Sequence, residues 1–147
     1  MTELATARAG ARPWPMTSEA AESLGAEIQQ ARRDIAALAG EGLEEGVANL
    51  RLAQSLRRLE ALLSTQGRAQ LLDDPGCAAI GRKATVQHPN GDVDRYAIVY
   101  PGDGNPARSC VSADSPLGSA LLGARPGAVV QVAAPGGTWT AAVLSVE

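Results

Sequence analysis

The sequence contains few of the residues from which cofactor and metal sites are usually built. Its 147 residues include no Phe, one His and two Cys, and aromatic residues make up only 3%. Cys77 and Cys110 are far apart and form no CxxC pair, so a zinc site of Cys and His ligands is excluded. The core must be built from Leu, Val, Ile and Ala, and an aromatic-lined pocket is not expected.

Long hydrophobic runs are missing as well. No apolar stretch approaches the ~20 residues that a membrane span requires, and the N-terminus lacks the apolar segment of a secretion signal. Hydrophobic residues at 45% and charged residues at 20% are typical of a globular chain. We therefore expect a cytoplasmic protein without a membrane partner, and we interpret both cysteines as reduced thiols.

Positive charge is scarce and unevenly placed. The net charge is −3; residues 1–75 carry eleven acidic and eight basic side chains, whereas residues 76–147 carry five of each. The whole negative excess therefore lies in the first half. This distribution does not favour direct, sequence-specific binding of nucleic acid, so another protein would have to bring the chain to it.

The first half predicts an antiparallel coiled-coil hairpin over residues 17–70. Thr17 or Ser18 is a suitable N-cap, and a first apolar seam follows at heptad spacing: Leu24, Ile28, Ala31, Ile35 and Leu38. A glycine-rich turn separates it from a second seam at Leu52, Leu56, Leu59 and Leu63. Helices of about 20–25 residues would reach roughly 30–38 Å.

Residues 1–16 are predicted to form a flexible N-terminal tail. Pro13 and Pro15 flank Trp14 and disfavour a helix. Trp14 is either a surface contact or simply part of the tail, and the sequence leaves both readings open.

The second half changes to short β-type runs after residues 73–76. Strands are predicted at residues 84–88, 93–100, 129–133 and 138–146, and an Asn-Gly turn joins the first two. Ser115 and Pro116 begin a short helix that ends at Gly123. The sum is an α+β protein: a helical hairpin followed by a small antiparallel sheet of four or more strands with one short helix.

Several motifs of the second half have a recognisable order. They are Tyr-Ala-Ile-Val-Tyr-Pro at 96–101, Val-Ser-Ala-Asp-Ser-Pro-Leu-Gly-Ser-Ala-Leu-Leu-Gly at 111–123, Arg-Pro-Gly-Ala-Val-Val at 125–130, Pro-Gly-Gly at 135–137 and the closing residues 143–147. Residues 76–147 thereby resemble the C-terminal domain of the GreA/GreB transcript-cleavage factors, which is similar in fold to the FK506-binding proteins. Over the helical half the resemblance is one of pattern only.

The resemblance implies bacterial RNA polymerase as the partner. In that family the C-terminal domain docks at the rim of the secondary channel, on the largest subunit. Carried over by motif, Asp114, Ser115 and Pro116 are the docking candidates. The alternative is that Ser115 and Pro116 merely cap a helix while Asp114 is solvated. We further expect a monomer with no catalytic residue and no cofactor of its own.

The resemblance also implies a role for the acidic hairpin turn. In GreA and GreB, two acidic residues at the tip help to hold a catalytic magnesium ion of the polymerase. Here Glu41 and Glu44 reproduce that spacing, and Glu45 could substitute for either. Carboxylate oxygens suit Mg²⁺, which would be shared only in the polymerase complex. The alternative is an ordinary solvated turn.

Two departures from the family pattern argue against transcript cleavage. Glu41 stands where the family has Asp, and the hairpin is shorter by about two heptads, roughly 20 Å of reach. The Rnk regulator and inhibitory Gre homologues, which do not promote cleavage, are similar in this respect. The resemblance thus implies a regulator of transcription elongation that either stimulates cleavage or occupies the channel.

Two further classes stay open at this point. A prolyl isomerase is suggested only by the fold, because few aromatics are present to line its pocket: Tyr96, Tyr100 and Trp139. A plain coiled-coil adaptor would use the hairpin to bind another helix.

Overall fold

Two long helices precede a five-stranded sheet in the computed structural model, which describes residues 13–147. The helices are α1 (Ser18–Leu38) and α2 (Glu45–Gly67), and a third, α3 (Pro116–Leu121), is short. The strands are β1 (Trp14–Met16), β2 (Ala69–Leu71), β3 (Lys83–Gln87), β4 (Val93–Val99), β5 (Cys110–Ser112), β6 (Val129–Ala134) and β7 (Gly137–Val146), with a 3-10 turn at Pro106–Arg108. This is the predicted α+β class.

The predicted hairpin is confirmed, and we call residues 18–67 the arm. Thr17 is the N-cap of α1, and its side-chain oxygen accepts a hydrogen bond from the Ala20 amide at 3.0 Å. The helices run antiparallel, since Arg58 pairs with Glu27 and Arg51 pairs with Glu41. With 21 and 23 residues, they span about 32 and 35 Å. Among the described residues, no helix is both long and apolar enough to cross a bilayer.

The seam of α1 follows the prediction. Leu24, Ile28 and Ala31 are buried, whereas Ile35 and Leu38, further from the sheet, are half-buried.

The predicted seam of α2 is wrong for three of its four leucines. Leu52, Leu56 and Leu63 are 38%, 43% and 37% exposed, whereas Leu62 is 3% exposed. The face toward α1 instead carries residues spaced 4, 3 and 4 apart: Arg51, Ser55, Arg58 and Leu62. The two arginines of this face form the ion pairs with α1. Burial of Leu62 thus favours a face that leucine spacing alone does not identify, and the two ion pairs lie along that face.

The predicted tail is wrong for residues 14–16, while residues 1–12 lie outside the described part. Trp14–Met16 forms β1, which pairs in parallel with β2. Trp14 is buried, its amide donates to the Arg68 carbonyl at 2.7 Å, and the Arg68 guanidinium lies 4.4 Å from its ring centroid. Proline favours extended backbone and is tolerated in a short edge strand. The sequence signal against helix was therefore correct, but it did not imply a tail.

The main sheet has the order β5-β4-β3-β7-β6. The four predicted strands are present within one or two residues, and the β3–β4 hairpin turns at Gly91, which has φ 95°. The prediction of a purely antiparallel sheet is wrong at one edge, where β5 pairs in parallel with β4. Only three residues long, β5 is too short to show the period-two pattern that reveals a strand.

The arm and the sheet domain (residues 73–147) share one hydrophobic core. Met16, Leu24 and Ile80 are at most 2% exposed and belong to the same buried cluster. Polar contacts reinforce the junction: the Asp73 carboxylate accepts hydrogen bonds from the Ser18 amide at 2.8 Å and from its hydroxyl at 2.5 Å. The base of the arm is therefore built into the sheet domain.

Adjacent leucines of α2 test the observed face. Leu62→Ala should destabilise the fold by about 2–5 kcal/mol because it leaves a cavity, whereas Leu63→Ala should cost about 1 kcal/mol or less. Chemical denaturation of both variants measures the difference. A larger loss for Leu63→Ala would restore the seam predicted from spacing.

The junction carboxylate should make stability pH-dependent. Hydrogen bonds from Ser18 hold the pKa of Asp73 below its ordinary value of 3.8. Its contribution is therefore present above that value and is lost as the pH falls through the lower folded-state pKa. Denaturation at about pH 6 and about pH 3 should show a smaller pH difference for Asp73→Asn than for the wild type. An identical difference would exclude this carboxylate as a source.

Candidate functional site

The turn between α1 and α2 forms the tip of the arm (residues 39–46). Helix α1 ends at Leu38, and Gly42 has φ 65°, a left-handed conformation that glycine adopts without a steric penalty. Glu44, in an extended conformation, is the N-cap of α2, although its side chain makes no capping hydrogen bond. The chain thus reverses over a few residues and leaves its side chains at the outer end of the arm.

All three predicted glutamates of the tip are exposed. Glu41 is partly neutralised, because its Oε1 lies 3.4 Å from Nη1 of Arg51. Glu44 and Glu45 stand at the N-terminus of α2, where the helix dipole stabilises negative charge. Contacts within the arm therefore stabilise the negative charge of the tip, whether or not a partner also contacts it.

The tip does not form a metal site by itself. Within residues 13–147, no group of three or more His, Cys, Asp or Glu side chains is placed to hold a metal ion. Glu41 and Glu44 could contribute oxygens only to an ion whose other ligands come from a partner. The arrangement does not fit a resident magnesium ion.

Ser115 and Pro116 begin α3. The Ser115 hydroxyl accepts a hydrogen bond from the Gly118 amide at 3.0 Å and donates to the Ser112 carbonyl at 2.7 Å. A Cβ at Gly118 would lie 2.0 Å from that same carbonyl oxygen, so only glycine fits. The Ser-Pro-Leu-Gly motif is thus required by the local fold, whatever else it does.

Asp114 also has a structural contact. Its side chain is exposed, and its Oδ1 accepts a hydrogen bond from the Gly102 amide at 3.2 Å. Asp114, Ser115 and Pro116, which we call the docking turn, line one open depression of about 320 Å³ together with Ser119, Ala120 and Gln131. The three predicted docking residues therefore lie together on one surface, some distance along the chain from the tip.

A cluster at the junction of arm and sheet domain was not found by sequence reasoning. Arg58 contacts both Glu27 and Asp103, and the Tyr100 hydroxyl donates to the Ala20 carbonyl at 2.6 Å. Burial, and then the charges of Glu27 and Asp103, raise the pKa of Tyr100 to about 12. These residues are separated by 31 to 80 positions, so no local spacing indicates that they meet.

Two of the three aromatic residues considered for an isomerase pocket, Tyr96 and Trp139, contact His88, whereas Tyr100 contacts the arm. His88 stacks on Trp139 with ring centroids 5.2 Å apart, and its Nε2 lies 3.1 Å from the Tyr96 hydroxyl and 3.0 Å from Asp94. The imidazole therefore contacts both side chains.

The described residues define a class of protein: a helical-hairpin arm with an exposed acidic tip, built on a small mixed sheet. Residues 73–147, just over half of the chain, match the family model described as transcription elongation factor GreA/GreB, C-terminal. The chain belongs to the GreA/GreB family of transcription elongation factors.

Two GreA proteins agree with this assignment in sequence. GreA of Thermomicrobium roseum is 28% identical over 154 residues, covering 90% of this chain and 96% of that protein. GreA of Oceanobacillus iheyensis is 34% identical over 76 residues, which is 51% of this chain and 48% of that protein. Among solved structures, the GreA/GreB factor of Nitrosomonas europaea aligns with a TM-score of 0.46 and 19% identity, covering 90% of this chain and 98% of that one.

Two helical glycines test the account of the docking turn. Gly118→Ala should destabilise the protein by about 1–3 kcal/mol, because the new methyl group overlaps the Ser112 carbonyl. Gly25→Ala is the matched control: nothing lies within 4 Å of its Cβ position, so higher helix propensity should stabilise α1 by up to about 1 kcal/mol. Thermal unfolding reports both changes. Equal stability of the two variants would contradict the close approach.

Proposed function

We propose that the protein binds bacterial RNA polymerase through the docking turn, at the rim of the secondary channel, and directs the tip of the arm toward the active centre to regulate elongation. Membership of the GreA/GreB family supports the choice of partner. The shared surface of Asp114, Ser115 and Pro116 supports the choice of docking site.

The observation that carries the proposal is the placement of the tip. Three exposed glutamates stand at the end of an arm that extends about 32 Å. The base of this arm is buried in the sheet domain. A domain that grips the rim of a channel can therefore deliver carboxylates into it without placing the rest of its surface inside.

Two activities of such a tip are consistent with its chemistry. Glu41 and Glu44 would lend oxygens to a magnesium ion held by the polymerase and so stimulate cleavage, or the tip would occupy the channel and inhibit. The exposed pair between Glu41 and Arg51 is a weak obstacle to the first, since such pairs contribute only about 0–1 kcal/mol. Both activities belong to the proposal, and an assay on backtracked complexes separates them.

The coiled-coil adaptor is the second candidate, and one observation favours it. Leu52, Leu56 and Leu63 leave apolar surface exposed along α2. A second helix could cover these leucines without using the docking turn. Replacing all three by Gln in the full chain separates the candidates, because a polymerase factor should retain its affinity and an adaptor should lose its partner.

Asp114→Ala should weaken polymerase binding by about tenfold, because it removes a carboxylate from the docking surface; this is about 1.4 kcal/mol. Asp114→Asn is the control, since its amide oxygen can still accept from Gly102 and preserve the turn. Affinity for purified core polymerase, measured for both variants, tests the site. An affinity unchanged in Asp114→Ala would remove Asp114 from the interface.

Glu41→Ala combined with Glu44→Ala should abolish the effect on backtracked complexes, whether cleavage or inhibition, while affinity changes less than about threefold. The matched control is Glu22→Ala with Glu60→Ala, which removes two exposed arm glutamates outside the tip. Transcript length and polymerase affinity are measured together. A tip variant that acts like the wild type would identify the tip as an ordinary solvated turn.

A further inference from the structure

The loop after β4 reaches across to the arm. Arg58 on α2 places its Nη2 2.7 Å from Oε1 of Glu27 on α1 and its Nη1 3.3 Å from Oδ1 of Asp103 in this loop. One guanidinium therefore joins both helices of the arm to the sheet domain. Its planar fork suits simultaneous contact with two carboxylates.

A second contact lies nearer to the base. The Tyr100 hydroxyl, from the start of the same loop, donates to the carbonyl oxygen of Ala20 in the first turn of α1. With its pKa raised to about 12, the phenol keeps its proton near neutral pH and remains a donor. The loop thus holds the arm at two separate points.

The Tyr100 and Arg58 contacts lie at different distances along the arm, so together they can influence the direction in which the arm points. Glu27 is nine residues beyond the start of α1, and Arg58 is nine residues before the end of α2. The Arg58 contact is therefore about 13 Å along the arm. An open cavity of about 530 Å³ lies beside the base of the arm and is lined in part by Ala20, Ser23 and Tyr100. Buried residues of α1 continue as far as Ala31, and the two polar contacts add to this packing in orienting the arm.

The loop itself is held in place. The Asp103 amide donates to the Tyr100 carbonyl at 3.0 Å, and the Gly102 amide donates to Asp114 at 3.2 Å. Asp114 belongs to the docking turn. The surface proposed to bind the partner is therefore connected to Arg58 by two contacts, Asp114 with Gly102 and Asp103 with Arg58, because Gly102 and Asp103 are adjacent in the chain.

We propose that Arg58, bridging Glu27 and Asp103, is a positioning residue that sets the direction of the arm relative to the sheet domain. Its side chain is 47% exposed, and ion pairs of that kind contribute little to folding stability. The effect lies in geometry: a rotation of roughly 10° at the base moves a tip 32 Å away by about 5 Å. The consequence for transcription rests on the proposed function, whereas the geometry does not.

The experiment measures the distance from tip to sheet domain in the full chain. Spin labels at Gly46→Cys and Thr138→Cys, both exposed positions, are introduced with Cys77→Ala and Cys110→Ser. Arg58→Met keeps the aliphatic part of the side chain but removes its positive charge. Asp103→Asn removes the negative charge of the partner in the same ion pair. Arg57→Met is the matched control, because Arg57 has no hydrogen bond or ion pair among residues 13–147. Arg58→Lys tests rescue.

Arg58→Met and Asp103→Asn should each broaden or shift the distance distribution by about 5 Å. Their combination should match Arg58→Met alone, because that variant already lacks the ion pair with Asp103. Arg57→Met should match the wild type, and Arg58→Lys should recover most of its distribution. A distribution for Arg58→Met identical to that of Arg57→Met would overturn the proposal, as would broadening in both.

A functional readout separates this inference from the function on which it builds. With polymerase, Arg58→Met should reduce the tip-dependent effect by about threefold to tenfold while affinity stays within about twofold. If no variant binds polymerase and the distances still shift, the proposed function fails and the positioning role stands. If binding and tip activity are normal and the distances do not shift, only the positioning role fails.

Discussion

Burial of the arm's base in the sheet domain is the constraint on which the rest of the structure depends. Met16, Leu24 and Ile80 meet in one cluster with the inner face of the sheet. Since interior packing is dense, this cluster fixes where the arm begins. Helix α1 stays buried as far as Ala31, whereas its last turns, toward Leu38, lie outside this cluster. Polar contacts at Tyr100, near the base, and at Arg58, further along the arm, add to this packing in orienting the arm.

The motif residues that this chain shares with the family also make contacts that stabilise the local fold. Ser115 caps α3, Gly118 lets that helix approach Ser112, and Asp114 holds the loop at Gly102. A motif can therefore be required by the fold and still form a binding surface, because the same short turn is both tightly built and exposed. Tests of the docking turn consequently need variants that preserve the local hydrogen bonds.

Charge at the tip has a similar double origin. Glu45 begins α2, where negative charge is favourable, and Glu41 faces Arg51 across the hairpin. Neither the helix N-terminus nor the pairing with Arg51 buries these side chains, since all three carboxylates remain exposed. The arm thus presents anionic oxygen at its end without assembling a metal site, and any ion that it helps to bind must be held chiefly by the partner.

Local chemistry in the sequence determined most of the fold. Capping at Thr17 and Ser115, the turn at Gly91 and the apolar spacing of α1 act over a few residues, so their signals lie side by side in the chain. Residue order likewise located the acidic turn between the helices and the Asp-Ser-Pro turn before α3, and their roles stay predictions. Only the tertiary structure decided which face of α2 meets α1, that Trp14 enters the core, and that β5 joins the sheet in parallel. It also brought Arg58 to Asp103 and Tyr100 to Ala20. The last two contacts join groups 45 and 80 residues apart. Packing and charge in three dimensions bring such groups together, and no local pattern of residues indicates that they meet.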